Sequence, residues 1–157
     1  MIKVMFVCLG NICRSPMAEF VLKDMVKKQG LEKEFYIKSS ATSSEEIGND
    51  IHYGTRDKLI QKGIAFEKRK AIKLKAEDYK KYDYIIGMDN SNIRNIKSIL
   101  GEDYDNKVYR LLDFSNNPRD IADPWYTRNF EITYNDIVEG CNGYYQYYHF
   151  CFLYLYY

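Results

Sequence analysis

Short apolar runs of strand length alternate along this chain with stretches whose apolar residues recur at helical spacing. Ile2 to Val7 is continuously apolar apart from Lys3, suited to a central strand covered on both faces. After a polar loop, Cys8 to Ser15, the positions Met17, Phe20, Val21, Met25 and Val26 repeat at helical intervals up to Gly30. Pro16 stands at a favoured first helical position with Ser15 before it as N-cap. Phe35 to Ser39 alternates as a second strand, and Ala41 to Tyr53, rich in Ser, Glu, Gly and Asn, reads as a long surface loop. A helix is expected from about Thr55 to Lys62, stopped by Gly63. Tyr82 to Met88 is a third strand, Asn90 to Leu100 a helix closed by Gly101, and Val108 to Leu112 a fourth short strand. The pattern closes with a helix from Phe130 to about Gly143, with Ile132, Ile137 and Val138 turned inward. Tyr144 to Tyr157, with seven Tyr and two Phe, shows neither helical patterning nor a cap. It is also shorter than the roughly 18 residues a membrane span needs.

Strands alternating with helices predict an α/β fold, a doubly wound three-layer sandwich with a four-stranded parallel sheet flanked by helices. In such a sheet the ligand site lies beyond the carboxyl ends of the strands, where the Cys8 loop falls. The 157 residues, 46% of them hydrophobic, suit one domain over 1–157. Lys plus Arg number 23 against 22 Asp plus Glu, a net charge of +1 that argues against a charge-driven nucleic-acid binder. The basic run from Lys68 to Lys75 reads as a solvated edge. The first residues lack the basic and apolar regions of a leader, and four cysteines are too sparse for a disulfide scaffold, so a cytosolic protein is expected.

Cys8-Leu-Gly-Asn-Ile-Cys-Arg-Ser15 joins a strand to a helix and places an arginine six residues after a cysteine. Backbone N–H groups of a short loop wrapping just before a helix, together with the helix dipole, form an anion nest. A thiol at its mouth is stabilised as thiolate, which makes Cys8 a nucleophile. Arg14 offers a planar fork for two oxygens of a phosphoryl group. Ser15 is placed to donate a hydrogen bond to Cys8, and Gly10 and Asn11 tolerate the left-handed angles a tight loop needs. Cys8 and Cys13 do not make a metal site, because Cys141, Cys151, His52 and His149 show no ligand spacing.

A phosphorylated cysteine needs a proton for the leaving group and later a base for water, and one carboxyl group can do both. Asp123 in Ile121-Ala-Asp-Pro-Trp-Tyr126 is the candidate, with Pro124 stiffening the loop and Trp125 and Tyr126 as flat walls for an aromatic ring. Asp120 is the nearest rival carboxylate. Leu9, Gly10, Asn11, Ile12, Cys13 and Ser15 complete the expected substrate-binding set with Trp125 and Tyr126.

The run Val7 to Pro16, followed far downstream by Asp123-Pro-Trp-Tyr126, resembles the low-molecular-weight protein tyrosine phosphatases. The resemblance covers Met1 to about Gly143, with Ser39, Met88 to Asn92 and Thr133 to Cys141 also reading like family segments. It implies a four-stranded parallel sheet, no metal or cofactor, and hydrolysis of phosphotyrosine and aryl phosphates through a cysteinyl-phosphate. By that resemblance Cys8 is nucleophile, Arg14 phosphate clamp, Asp123 acid then base, Asn11 loop-shaping and Ser15 the thiolate partner. Cys13 matches a second loop cysteine that can trap Cys8 as a reversible disulfide. Implied partners are a phosphotyrosine protein or peptide and inorganic phosphate, with no nucleic acid and no membrane, for a monomer. Two positions depart: Glu45 replaces a rim aromatic, and Arg69 stands where relatives place a histidine that steadies the loop asparagine. The Tyr-rich end replaces an expected Leu-rich closing helix.

Ile12 bears on substrate. A similar branch acting on phosphoarginine has Thr at this position, whereas a branched apolar side chain suits a phenyl ring. Arsenate reductases of the same fold need a further cysteine pair in mid-chain, and none lies between Ser15 and Glu139. A silent phosphate-binding or redox-sensing module is the alternative outside enzymes; joint retention of Cys8, Arg14 and Asp123 argues against it.

Overall fold

Along the first strand, β1 (Ile2–Cys8), Val4, Phe6 and Cys8 alternate with Met5 and Val7, and all five are buried. The two sets enter different clusters, so both faces of this strand are covered. The computed structural model describes residues 1–155. β1 pairs in parallel with β2 (Phe35–Ala41) on one side and β3 (Tyr84–Gly87) on the other, and β4 (Val108–Arg110) extends the sheet beyond β3. The order β2-β1-β3-β4 is the expected four-stranded parallel sheet. Helices α1 (Arg14–Lys28), α2 (Tyr53–Gln61) and α6 (Phe130–Leu155) gather around the Val4 and Phe6 face, and α3 (Asp78–Lys81) and α4 (Asn90–Leu100) around the Met5 and Val7 face. The chain moves one way from β1 to β2 and reaches β3 on the other side, so the carboxyl end of β1 is the switch point of the sheet.

Several boundaries differ from the sequence pattern for local reasons. The expected fourth strand stops at Arg110, where Asp113 accepts hydrogen bonds from the Arg110 backbone and guanidinium and turns Leu111–Phe114 into a 3-10 helix. Helix α1 starts at Arg14 rather than behind a Ser15 cap. Ser15 lies inside the first turn with its hydroxyl aimed at Cys8. Helix α2 starts at Tyr53 under a His52 cap, two residues before the expected Thr55. In the basic run the lysines are solvated, but Ala71 and Leu74 are buried and Arg69 turns inward, so the segment is more than a solvated edge.

The largest correction is at the end of the chain. The closing helix continues through 144–155, a stretch that reads as irregular from sequence, and Tyr156 and Tyr157 lie outside the described residues. Ile137, Cys141, Tyr144 and Tyr148 form one buried stripe at spacings of three and four residues, with Tyr taking the place of Leu. Tyr144 packs edge-on against Tyr84 at 5.1 Å and Phe114 at 5.3 Å, and Tyr148 against Phe35 at 4.8 Å. The stripe predicted to include Ile132 leaves that side chain exposed, and Thr133 points inward instead. A close approach fixes the helix in place: a Cβ on Gly143 would lie 2.2 Å from the Phe114 carbonyl oxygen. No helix among the described residues is long and apolar enough to cross a membrane.

Candidate active site

Cys8 ends β1, and the chain then curls through Asn11, whose φ of 57° is left-handed, before entering α1 at Arg14. This curl brings the Asn11 N–H to the Cys8 Sγ at 3.3 Å and the Ser15 Oγ to it at 3.1 Å. The loop is bolted to its neighbours by backbone bonds: Thr42 N donates to Cys8 O, Ser43 N to Leu9 O and His52 N to Ile12 O, at 2.8–3.0 Å. Thr55 Oγ1 adds a bond to Cys13 O at 3.1 Å.

Behind the loop, donors and acceptors alternate in a way that fixes which way each group points. Asn11 Oδ1 accepts from Ile72 N at 3.1 Å and from the Arg69 guanidinium, which has no acceptor atom. The Asn11 Nδ2 must therefore face the two serines, and it donates to Ser39 Oγ and Ser15 Oγ, each at 2.9 Å. Ser39 passes its own hydrogen to the buried Glu19 carboxylate at 2.7 Å. Ser15, already accepting, has its hydrogen free for Cys8 at 3.1 Å rather than the Ser40 carbonyl at 3.5 Å. Arg69 also donates to Asn11 O at 2.6 Å, so the asparagine is steadied from the position where relatives carry histidine.

Arg14 is only 2% exposed, and two carboxylates and a carbonyl hold its fork. Nη1 meets Asp89 Oδ2 at 2.6 Å and Ile121 O at 2.8 Å, and Nη2 meets Asp123 Oδ2 at 3.3 Å. Burial opposes its charge, but Cys8, Asp123 and Asp89 more than offset this and raise its pKa. Asp89 caps α4 through a capping box with Asn92, which orients it for Arg14. Asp123 caps the short helix α5 (Pro124–Thr127), where Oδ1 accepts the Trp125 N–H at 3.0 Å. Asp120 is engaged elsewhere, with Asn90 N and Arg110.

A cavity of about 110 Å³ opens between these parts. Cys8, Leu9, Gly10, Ile12, Cys13, Arg14, Asp123, Trp125 and Tyr126 wall it as the sequence reading expected, joined by Ser43, Glu45 and Glu46 from the loop after β2. Asn11 and Ser15 are buried behind the wall instead of on it. Burial, reinforced by Cys8 and Asp123, pushes the Cys13 thiol up to about 12. Of the two loop thiols, Cys13 is thus protonated at neutral pH, and Cys8 is the one given donors.

Sequence reading missed Asp89 and the part played by Arg69. Asp89 lies in the family-like segment Met88 to Asn92, but no local signal links it to Arg14, 75 residues away. Arg69 sat inside a charge run that looked solvated.

A cysteine and an arginine in a tight loop at the switch point of a parallel sheet, with a carboxyl group across the cavity, are an arrangement suited to phosphatase chemistry. Residues 3–148 match the family model for low molecular weight phosphotyrosine protein phosphatase. The low molecular weight protein-tyrosine-phosphatase YfkJ of Bacillus subtilis is 42% identical over 143 residues, covering 90% of this chain and 92% of that protein. PtpA of Staphylococcus aureus, of the same description, is 39% identical, covering 91% of each. The crystal structure of YfkJ superposes with a TM-score of 0.88 at 41% identity over 91% of each chain. The chain belongs to the low-molecular-weight protein-tyrosine-phosphatase family, and it is a hydrolase acting on phosphotyrosine.

Proposed function

We propose that this phosphatase works through a cysteinyl-phosphate formed on Cys8, with Arg14 as phosphate clamp and Asp123 as acid and then base, all within one domain spanning 1–157. The observation that carries the reading is the convergence of these three side chains on one cavity from three separate elements. In the first step the Cys8 sulfur bonds to phosphorus as the bond to the tyrosine oxygen breaks, and Asp123 gives its proton to that oxygen. In the second, water attacks phosphorus, Asp123 takes its proton, and the sulfur–phosphorus bond breaks to release inorganic phosphate. Ser15 and the Asn11 N–H stabilise the departing thiolate. A phosphoryl group competes with Asp123 for Arg14 Nη2, which releases the carboxyl toward the leaving group.

Ile12, Trp125 and Tyr126 wall the same cavity and favour an aryl substrate, a phosphotyrosine protein or peptide. A place in the cytoplasm, a reducing compartment, suits its free cysteines. Cys13, on the wall with Cys8, is the partner for a reversible disulfide under oxidation. Rapid acid quench during turnover of a phosphotyrosine peptide, followed by peptide mapping, should find phosphate on Cys8. Label on another residue, or turnover by Cys8→Ser near the wild-type rate, would overturn the mechanism.

A further inference from the structure

Three segments around the cavity meet at His52. The His52 backbone N–H donates to Ile12 O of the phosphate loop at 2.8 Å, and the ring Nδ1 accepts the Gly54 N–H at 3.0 Å to cap α2. Its ring stands edge-on to Trp125 at 5.6 Å and nearly parallel to Phe130 at 5.4 Å, with Tyr53 at 4.2 Å. Gly54 is required by this stack, since a Cβ there would lie 2.3 Å from the Phe130 ring. His52 itself does not wall the cavity. Trp125 does, and its amide N–H is bound to the Asp123 carboxylate at 3.0 Å. The helix that carries both, α5, has only four residues and ends at Arg128 in a left-handed conformation. A helix that short has little internal hydrogen bonding, so outside contacts set its position.

We propose that His52 is a positioning residue for the proton donor: its backbone is anchored to the phosphate loop, and from that anchor its ring holds the turn bearing Asp123 and Trp125. The inference rests on the reading of Asp123 as the acid. Misplacement by an ångström costs up to about 100-fold when a reacting group must be aligned, so the effect belongs in kcat for substrates that need a proton.

His52→Asn keeps a side-chain acceptor for the α2 cap but removes the ring, and His52→Phe keeps a ring and removes the acceptor. The expected result for His52→Asn is a fall of about tenfold in kcat on phosphotyrosine, a smaller fall on para-nitrophenyl phosphate, and unchanged inhibition by inorganic phosphate. His52→Phe should keep the wild-type dependence on leaving group while melting at a lower temperature. A role in helix capping alone gives the reverse, with His52→Asn intact and His52→Phe impaired, and would overturn the proposal.

The chain has a single tryptophan, so fluorescence excited selectively at indole reads the contact directly. Burial and the charge of Arg128, against the opposing pull of Glu46, lower the His52 pKa below its ordinary value of about 6.5. Tyr53 is also in contact with the ring, at 4.2 Å. Emission should drop as pH falls below that value, because an imidazolium quenches an indole it touches, and the drop should vanish in His52→Asn. No His52-dependent step in the wild type would mean the contact is not made. Asp123→Asn, run in parallel, separates the two readings. Leaving-group dependence altered in Asp123→Asn but not in His52→Asn sinks the positioning role alone; unaltered in both, it sinks the acid assignment as well.

Discussion

The two ends of the interior seen from β1 use opposite physics. At its carboxyl end, the groups behind the Cys8 loop form a chain of partners that fixes their orientation, Arg69 to Asn11, Asn11 to Ser39 and Ser15, Ser39 to Glu19, with the Ser40 and Thr42 hydroxyls beside it buried without a partner among the described residues. On the face under the second half of α6, rings meet edge to face, and the Tyr144 hydroxyl is buried with no hydrogen-bond partner among the described residues. Packing of rings tolerates an orphaned hydroxyl at a modest cost, whereas breaking the chain from Arg69 to Ser15 would free the Ser15 hydroxyl to turn away from the Cys8 sulfur. Specificity of orientation is thus concentrated around Cys8.

The largest expected break is Cys8→Ser, which leaves the loop and Arg14 in place but removes the strong nucleophile. Turnover should fall by on the order of 10⁴-fold or more, while vanadate binding, read by calorimetry, persists. Arg14→Lys comes next. A point charge cannot serve Asp89, the Ile121 carbonyl and a phosphoryl group as a planar fork does, and the loss in kcat should be on the order of 10³-fold. Near-normal kcat in that variant would show that the geometry of the fork is dispensable.

Asp123→Asn should lower single-turnover rates by on the order of 10²-fold on phosphotyrosine and distinctly less on para-nitrophenyl phosphate, whose leaving group is a weak base. Equal losses would shift the acid role to another group. On the aromatic side the effect reverses in sign: Tyr144→Phe removes a buried hydroxyl without a partner and should raise stability, by about 1 kcal/mol, measured by urea unfolding. A loss of stability of that size would reveal a partner for the hydroxyl and erase the contrast between the two regions. The smallest effect is the pH dependence contributed by His52. Its folded pKa is depressed, so the unfolded chain binds the proton more readily; this increment of stability is present above about pH 6.5 and is lost as pH falls through the folded value. His52→Asn should remove that increment from the pH dependence of the melting temperature.

Much of this was legible in the residues themselves. The parallel sheet followed from apolar runs alternating with helical spacing, and the helix Asn90–Leu100 from its spacing and its closing glycine. The loop Cys8 to Ser15 and the turn at Asp123 were readable because their requirements are local: an anion nest, a left-handed residue and a proline-stiffened turn all arise within a few consecutive positions. Tertiary structure decided the rest. Tyrosine counts as apolar or polar according to what covers it, so only contact with Tyr84, Phe114 and Phe35 could turn 144–155 into a buried helical stripe. Asp89 reaches Arg14 across 75 residues, and Arg69 reaches Asn11 across 58. Neither pair leaves a trace in spacing, because each forms only once parallel strands have brought their carboxyl ends to one edge of the sheet.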